Sequence, residues 1–157
     1  MSELDSATVF IDSNYYPMVS DAVSNLKLFD SNLSFGVVAA LVGYENGKKA
    51  RDITKGTKGE IRATVFQSKG MDSYVYLLAV ADTGSPEILR EESGASLYKI
   101  FEEYMNGGFS IIYDWLKDGT KDIESVLLSE MNQRVMEALS SIPKGAVPDR
   151  PDDIPDL

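Results

Sequence analysis

The sequence predicts a mainly α protein, a single compact domain of five to seven helices with a short β-strand near the N-terminus. Three observations support this prediction. Apolar residues recur at helical spacing through residues 95–117, which also contain the single tryptophan. A nearly uninterrupted apolar run occupies residues 33–44, as expected for a helix that is buried on most sides. A third apolar stripe at helical spacing lies within residues 121–140.

The N-terminal elements follow in the order strand, helix, helix. Residues 7–11 form a β-like run, and apolar spacing predicts a helix over residues 15–26. Pro17 fits the first turn of that helix, where no N–H is needed. The next helix covers residues 33–44. This order is similar to the start of a ribbon-helix-helix dimer, which leaves a homodimer open, although the strand has no arginine or lysine to read DNA.

A polar connection, residues 45–59, follows these elements. Residues 60–68 then have the spacing of a short helix. The apolar character of residues 71–81 predicts a helix. A strand is the alternative, because tyrosine and valine also favour strands. A brief helix over residues 85–90 begins with good start signals, a serine followed by Pro86.

The central stretch, residues 95–117, contains an internal break signal at Asn106-Gly107-Gly108. Each interior glycine costs about 1 kcal/mol relative to alanine, so two helices joined at this step are favoured over one continuous helix. The apolar spacing also predicts that Trp115 is largely buried against residues 33–44 and 71–81.

The C-terminal part has two characters. Residues 121–140 predict an amphipathic helix that Thr120 can cap. Residues 143–157 contain four prolines and four aspartates, a composition typical of an extended or disordered tail. The predicted organisation is therefore one helical domain over residues 1–142 followed by a tail over residues 143–157.

The composition restricts the chemistry. The chain has no cysteine and no histidine, which excludes thiolate nucleophiles, cysteine-ligated zinc and the Ser/His/Asp triad. We therefore predict a protein that is not an enzyme and uses no cofactor and no metal. The enzymatic alternative is a nuclease whose metal is held by carboxylates alone. A solvated helical surface explains the candidate carboxylates better; they are Glu91, Glu92, Glu102, Glu103 and Asp114.

Targeting signals are not visible in the sequence. The first residues lack the basic and apolar regions of a signal peptide. The longest apolar run, residues 37–42, is far too short to cross a bilayer. We expect a soluble, cytoplasmic protein with no membrane contact.

The net charge of −10 is unevenly distributed. Residues 48–70, the basic segment, carry seven basic residues against two acidic ones. Two interpretations stay open: contact with an acidic protein or with DNA phosphates, or a solvated loop that pairs with the protein's own acidic surface. The candidate binding residues are Lys48, Lys49, Arg51, Lys55, Lys58 and Arg62. Reversal of the charges of Lys48, Lys49 and Arg51 is expected to leave the fold intact.

Three segments occur in an order that resembles one small protein family. They are FGVVAALVGYENGKKARDI (35–53), GEIRATVFQSKGMDSYVYLLAVADTGSPEIL (59–89) and YKIFEEYMNGGFSII (98–112). The chain resembles the Dnd-system-associated accessory proteins, encoded beside bacterial DNA phosphorothioation and restriction genes, over about residues 10–115. The family signature in the third segment includes Glu102, Glu103, Tyr104, Asn106, Gly107 and Gly108.

The resemblance implies an accessory role in DNA phosphorothioation and antiviral defence, and it brings no catalytic residues with it. The signature residues then either bind a partner or serve only to interrupt the helix. We predict a non-enzymatic accessory or adaptor that contacts other proteins of a DNA-modification or defence complex. The alternative is a DNA-associated regulator that uses the basic segment.

Overall fold

The computed structural model describes residues 7–91, 94–117 and 122–140. Two compact units make up the chain, Met1–Gly119 and Thr120–Leu157. The division at residue 119 falls inside the predicted helical domain, and the predicted tail lies outside the described residues. The elements are β1 (Thr8–Phe10), α1 (Tyr16–Ser20, continued by a π-helical turn, Asp21–Asn25), α2 (Asn32–Glu45), β2 (Glu60–Arg62), α3 (Ala63–Ser68), α4 (Asp72–Thr83), α5 (Ile88–Glu91), α6 (Gly94–Trp115) and α7 (Ile123–Ser140).

The predicted fold class is confirmed. The described residues form seven α-helices and two short strands, one of them near the N-terminus. Residues 72–83 are helical, so the helix was the right choice over the strand. The strand–helix–helix order at the start is also present, but β1 pairs with β2 of the same chain.

Helix α6 is continuous, and the favoured prediction of two helices joined at residues 106–108 is wrong. The cause lies in tertiary packing. A Cβ atom on Gly107 would collide with the carbonyl oxygen of Lys48, and one on Gly108 with that of Ala39. Both glycines are therefore required by close approach of other backbone, and this packing offsets the local cost of about 1 kcal/mol for each glycine.

The most extensive contact in the first unit joins α2 to α6. A Cβ on Gly43 would meet the carbonyl oxygen of Tyr104, so glycines on both helices allow the two backbones to approach. The ring of Phe35 packs edge-on against Phe109 with centroids 5.2 Å apart. The apolar run of α2 is thus explained, because this helix covers the core side of α6.

The strands form a two-stranded antiparallel ribbon. The pairs are Thr8 with Arg62, Val9 with Ile61 and Phe10 with Glu60. Two backbone bonds of 2.9 Å extend this ladder, from Ile11 N–H to Gly59 and from Ala63 N–H to Ala7. The inner face carries Val9 and Ile61, which are buried.

The helix predicted over residues 60–68 is wrong in its first turn. Residues 60–62 form β2, and α3 begins only at Ala63. Ile61 is buried in either arrangement, so its apolar character does not distinguish a helix from a strand. Pairing with β1, some fifty residues away in the sequence, decides for the strand.

Several local residues fix the ends of the helices. Pro17 lies in the first turn of α1. Ser31 caps α2 by accepting a hydrogen bond of 3.1 Å from the N–H of Ser34. Gly84 ends α4 in the left-handed conformation, with φ of 73°.

Trp115, which lies at the end of α6, departs from the prediction. Phe109 and Ile112 on the same helix are fully buried, whereas Trp115 is only half-buried. The apolar spacing that predicted its burial ends together with the helix.

Within the described ranges, no helix combines the length and the apolar character needed to span a bilayer.

Candidate functional site

The family signature lies in the middle of α6, and five of its six residues are buried there. The buried side chains and backbone face different neighbours, because consecutive helical residues point in different directions. Glu102 and Asn106 face the ribbon, Tyr104 faces α2 and the end of α4, and the two glycines face the backbone of α2 and of the basic segment.

Glu102 and Asn106 hold the outer edge of β1. The carboxylate of Glu102 accepts a 2.9 Å hydrogen bond from the N–H of Phe10. The amide of Asn106 accepts from the N–H of Asp12 and donates to the carbonyl of Phe10, both at 2.9 Å. Residues four apart on a helix rise about 6 Å, close to the roughly 6.8 Å between alternate strand residues, so the two side chains match the strand spacing.

The buried carboxylate of Glu102 has a second partner. Lys99 lies one turn earlier and donates to it at 2.8 Å. The Glu102 side chain is only 5 % exposed, whereas that of Lys99 is half exposed. A cation and a backbone N–H thus compensate for the loss of water around this carboxylate.

Asp12 is buried at the same place. Its carboxylate accepts from the N–H of Asn14 at 2.9 Å, and its carbonyl accepts from Tyr15 and Tyr16. Asp12 therefore turns the chain from β1 into α1, while Asn106 fixes its backbone from the other side.

Tyr104 belongs to a three-residue polar cluster with Lys49 and Asp82. The Tyr104 hydroxyl donates to the Asp82 carboxylate at 2.5 Å, and the Lys49 ammonium lies 2.8 Å from the same carboxylate. Lys49 also lies over the Tyr104 ring, 5.1 Å from its centroid. The cluster joins the basic segment to the end of α4 through α6.

The protonation of the cluster follows from these contacts. Burial by itself would raise the pKa of Asp82, but the hydrogen bonds from Lys49 and Tyr104 outweigh burial and lower it. Burial and the hydrogen bond to Asp82 raise the pKa of the Tyr104 hydroxyl far above its ordinary value. At neutral pH, Asp82 is therefore ionised and Tyr104 is neutral.

The backbone of the basic segment is anchored to the rest of the first unit. Glu103 accepts a 2.8 Å bond from the N–H of Ala50 through its carbonyl, and Thr54 accepts one of the same length from Ser13. The carbonyl of Gly59 is bound in the ribbon. The segment therefore crosses the surface with fixed attachment points.

The structure divides the six predicted basic residues into two groups. Lys48 donates to the Ser110 hydroxyl at 2.9 Å, Lys49 is paired with Asp82, and Arg51 lies 3.8 Å from Glu103. These three contact α6 or α4, but only Lys49 is half-buried; Lys48 and Arg51 are exposed, and the Arg51 side chain is 74 % exposed. The other three, Lys55, Lys58 and Arg62, are exposed too and form the second group.

Two members of the second group, Lys55 and Arg62, lie at the outer face of the ribbon. The Lys55 ammonium lies 4.4 Å from the ring centroid of Phe10, and Arg62 pairs weakly with Glu60 across 3.2 Å. The side chain of Arg62 is 72 % exposed, so this pair contributes little to stability.

Sequence reasoning missed the partners that complete these clusters, Asp82 and Ser110. Neither has a local signal. Asp82 pairs with Lys49, more than thirty positions away, and Ser110 bonds to Lys48, more than sixty positions away. Among the described residues, no three acidic side chains come together as a metal site.

Comparison with known proteins agrees with the resemblance seen in the sequence. Searches of curated proteins and of solved structures gave no match. The family described as DNA sulphur modification system-associated protein 4 matches residues 19–142, which include the signature on α6 and reach the end of α7. The chain therefore belongs to the family of DNA sulphur modification system-associated protein 4.

Proposed function

We propose that this chain is a non-enzymatic accessory protein that binds other proteins of a DNA sulphur modification system. The proposal is supported by the contacts that the signature side chains make inside the fold. Glu102, Tyr104 and Asn106 are each bound by neighbouring backbone or side chains. Groups that are occupied in this way stabilise the fold and are not available to a substrate.

The binding surface in this proposal is the exposed group of cations, Lys55, Lys58 and Arg62. They extend from a backbone that is anchored at Thr54 and Gly59, so binding a partner need not order the loop first. The chain as a whole is strongly acidic, with a net charge of −10. A basic surface on an acidic protein attracts an acidic partner. It also favours the orientation of the two proteins in which opposite charges meet.

A tagged pull-down from the host tests this proposal. We expect the wild-type protein to retain other components of the DNA sulphur modification system and the double variant Lys55→Glu/Lys58→Glu to retain much less. The matched control is Arg90→Glu/Lys117→Glu, which changes the net charge equally at exposed positions elsewhere. Equal retention by all three proteins would move the binding surface away from the ribbon.

A second candidate function is DNA association through the same cations, because exposed lysines and arginines also suit phosphates. Fluorescence anisotropy with labelled duplex DNA distinguishes the two. DNA binding predicts that log K falls with log salt, and that the slope in Lys55→Glu/Lys58→Glu is shallower by about 0.9 for each phosphate that a replaced lysine neutralised. Addition of Mg²⁺ or Mn²⁺ to the same DNA tests the third alternative, a carboxylate–metal nuclease.

A further inference from the structure

Helix α7 has two sides that differ in burial. On one side of its first turns, Ile123, Val126 and Leu127 are buried. The opposite side carries large apolar side chains that are all more than half exposed: Leu128, Met131, Val135, Met136 and Leu139. Most neighbours in this set are three or four residues apart, so they form one apolar stripe along the helix. The stripe offers roughly 500 Å² of surface, at the upper end of what monomers leave exposed, and this marks it as an interaction surface.

The middle of the apolar stripe follows a heptad pattern. In the usual notation from a to g, Leu128 and Val135 occupy d positions, whereas Asn132 and Leu139 occupy a positions. The seam of a helix pair is formed by the a and d positions. A single asparagine at an a position specifies the register and the number of helices, because its amide requires a hydrogen-bonding partner inside the seam.

Asn132 distinguishes the possible partners of the stripe. If two copies of α7 pair in parallel about a two-fold axis, each Asn132 lies beside Asn132 of the other copy, and the two amides can donate to and accept from each other. In an antiparallel pair with the same seam, Asn132 lies opposite Val135, and an amide placed against an apolar side chain loses its hydrogen bonds to water without replacement. A second copy of this chain in parallel orientation therefore fits the stripe.

The residues that border the seam also fit a parallel pair. In this arrangement a residue at g packs against the residue at e five positions later in the other copy, so Met131 of one copy meets Met136 of the other. The charged side chains of residues 128–140 lie on the sides of the helix away from the seam; they are Glu130, Arg134 and Glu137. Like charges are therefore not brought together along these residues.

We infer that the apolar stripe of α7 is the contact of a parallel, symmetric homodimer. Two stripes that face each other remove about 1,000 Å² from water, close to the lower limit for a specific interface, so the dimer is weak and depends on concentration. Each copy carries a net charge of −10, so salt that screens the repulsion between copies strengthens the dimer. The contact uses no residue of the basic segment and does not rest on the proposed function.

Sedimentation of the full chain tests the contact. We expect the wild-type protein to dimerise with a Kd between about 10 µM and 1 mM. Leu128→Glu and Val135→Glu each place two carboxylates inside the seam, so each should raise the Kd about tenfold or more. The matched control, Leu77→Glu, makes the same change at an exposed leucine of α4 and should leave the Kd unchanged. All three positions are exposed, so the three variants should retain the circular dichroism spectrum of the wild type.

Single cysteines test the orientation, since the chain has no cysteine of its own. In a parallel pair, residue 128 lies beside residue 128 of the other copy and residue 139 beside residue 139. Leu128→Cys and Leu139→Cys should therefore each form disulfide-linked dimers alone when incubated with oxidised glutathione. In an antiparallel pair, residue 128 lies opposite residue 139, and the equimolar mixture would cross-link faster than either variant alone. Leu77→Cys measures cross-linking by random collision.

Three results would overturn the inference. The first is a wild-type protein that stays monomeric up to about 1 mM at both low and high salt. The second is a dimer whose Kd does not respond to Leu128→Glu and Val135→Glu, and the third is faster cross-linking of the mixture than of the single variants. None of these results bears on the binding of other proteins through Lys55 and Lys58, so the proposed function is tested separately.

Discussion

The signature on α6 and the basic segment both contain conspicuous polar residues, but the fold uses them in opposite ways. Glu102 and Asn106 are 3 % and 0 % exposed, and each bonds to the backbone of β1. The Arg62 side chain is 72 % exposed and makes one weak ion pair. The comparison teaches that a polar side chain in this protein is structural where it bonds to backbone groups distant in the sequence. A side chain that faces solvent, as that of Arg62 does, is available for binding.

The basic segment itself contains both kinds of residue. Lys49 is mostly buried and belongs to the Lys49–Asp82–Tyr104 cluster, whereas Lys58 extends into solvent. Stability measurements on α6 and on the basic segment should therefore differ in size in a predictable order.

The largest effect is expected for Gly108→Ala. A Cβ at this position would collide with the backbone carbonyl of Ala39, which cannot move without separating α2 from α6. We expect a loss of more than about 3 kcal/mol in the free energy of unfolding, or failure to fold. Urea denaturation measures it, with Gly56→Ala as the control. Gly56 meets only the Ser13 side chain, so its variant should stay within about 1 kcal/mol of wild type. A stable Gly108→Ala protein would contradict the close packing of the two helices.

Asn106→Ala should have the next largest effect. It leaves the Asp12 N–H and the Phe10 carbonyl without their partner in a buried place, where each unsatisfied group costs about 1–3 kcal/mol. A total loss of about 3 kcal/mol is expected in urea denaturation. Asn46→Ala removes one exposed hydrogen bond and serves as the matched control, with an expected loss below about 0.5 kcal/mol. Equal losses in the two variants would show that Asn106 does not hold β1.

These two residues also show where sequence reasoning succeeded and where it had to fail. Periodicity predicted most of the helices correctly, because burial of one face is a local and repeated signal. The break at Asn106-Gly107-Gly108 was predicted from local helix propensity. The structure has a continuous helix instead, because the backbone of Ala39 and of Lys48 leaves no room for a side chain at Gly108 and Gly107.

Dependence on residues distant in the sequence also explains the remaining differences between the predicted and the observed structure. β2 has only three residues and depends on β1 for its definition, so no local period identifies it. The set of six candidate basic residues was assembled from their charge alone. Which of them contact α6 or α4 depends on Asp82, Glu103 and Ser110, all distant in sequence.

An intermediate effect with a pH signature is expected for Asp82→Asn. Hydrogen bonds from Lys49 and Tyr104 lower the Asp82 pKa despite its burial, so the folded chain protonates this group at lower pH than the unfolded chain. Its stabilisation is complete above the ordinary aspartate pKa of 3.8 and is lost as the pH falls through the lower folded-state pKa. The variant should lose about 1–2 kcal/mol at neutral pH.

Unfolding of both proteins at a series of pH values measures this effect. The difference between wild type and Asp82→Asn should be constant from neutral pH downwards and should shrink only below the ordinary aspartate pKa. Asp52→Asn, at an exposed aspartate, controls for the loss of one negative charge. A difference that grew on acidification would contradict the lowered pKa of Asp82.

The smallest effect is expected for Lys58→Glu, and its contrast with Lys49→Glu tests the division of the basic segment most directly. Both variants replace one lysine by one glutamate, so the change in net charge is identical. Lys58→Glu should alter the free energy of unfolding by less than about 0.5 kcal/mol, because its side chain is exposed. Lys49→Glu places a carboxylate beside Asp82 and removes the cation above Tyr104, so it should cost at least about 1 kcal/mol. Urea midpoints of the two variants, measured in the same buffer, give the answer. If both variants unfold at the wild-type midpoint, Lys49 is free to bind a partner, and the distinction between Lys49 and the exposed cations of the basic segment is wrong.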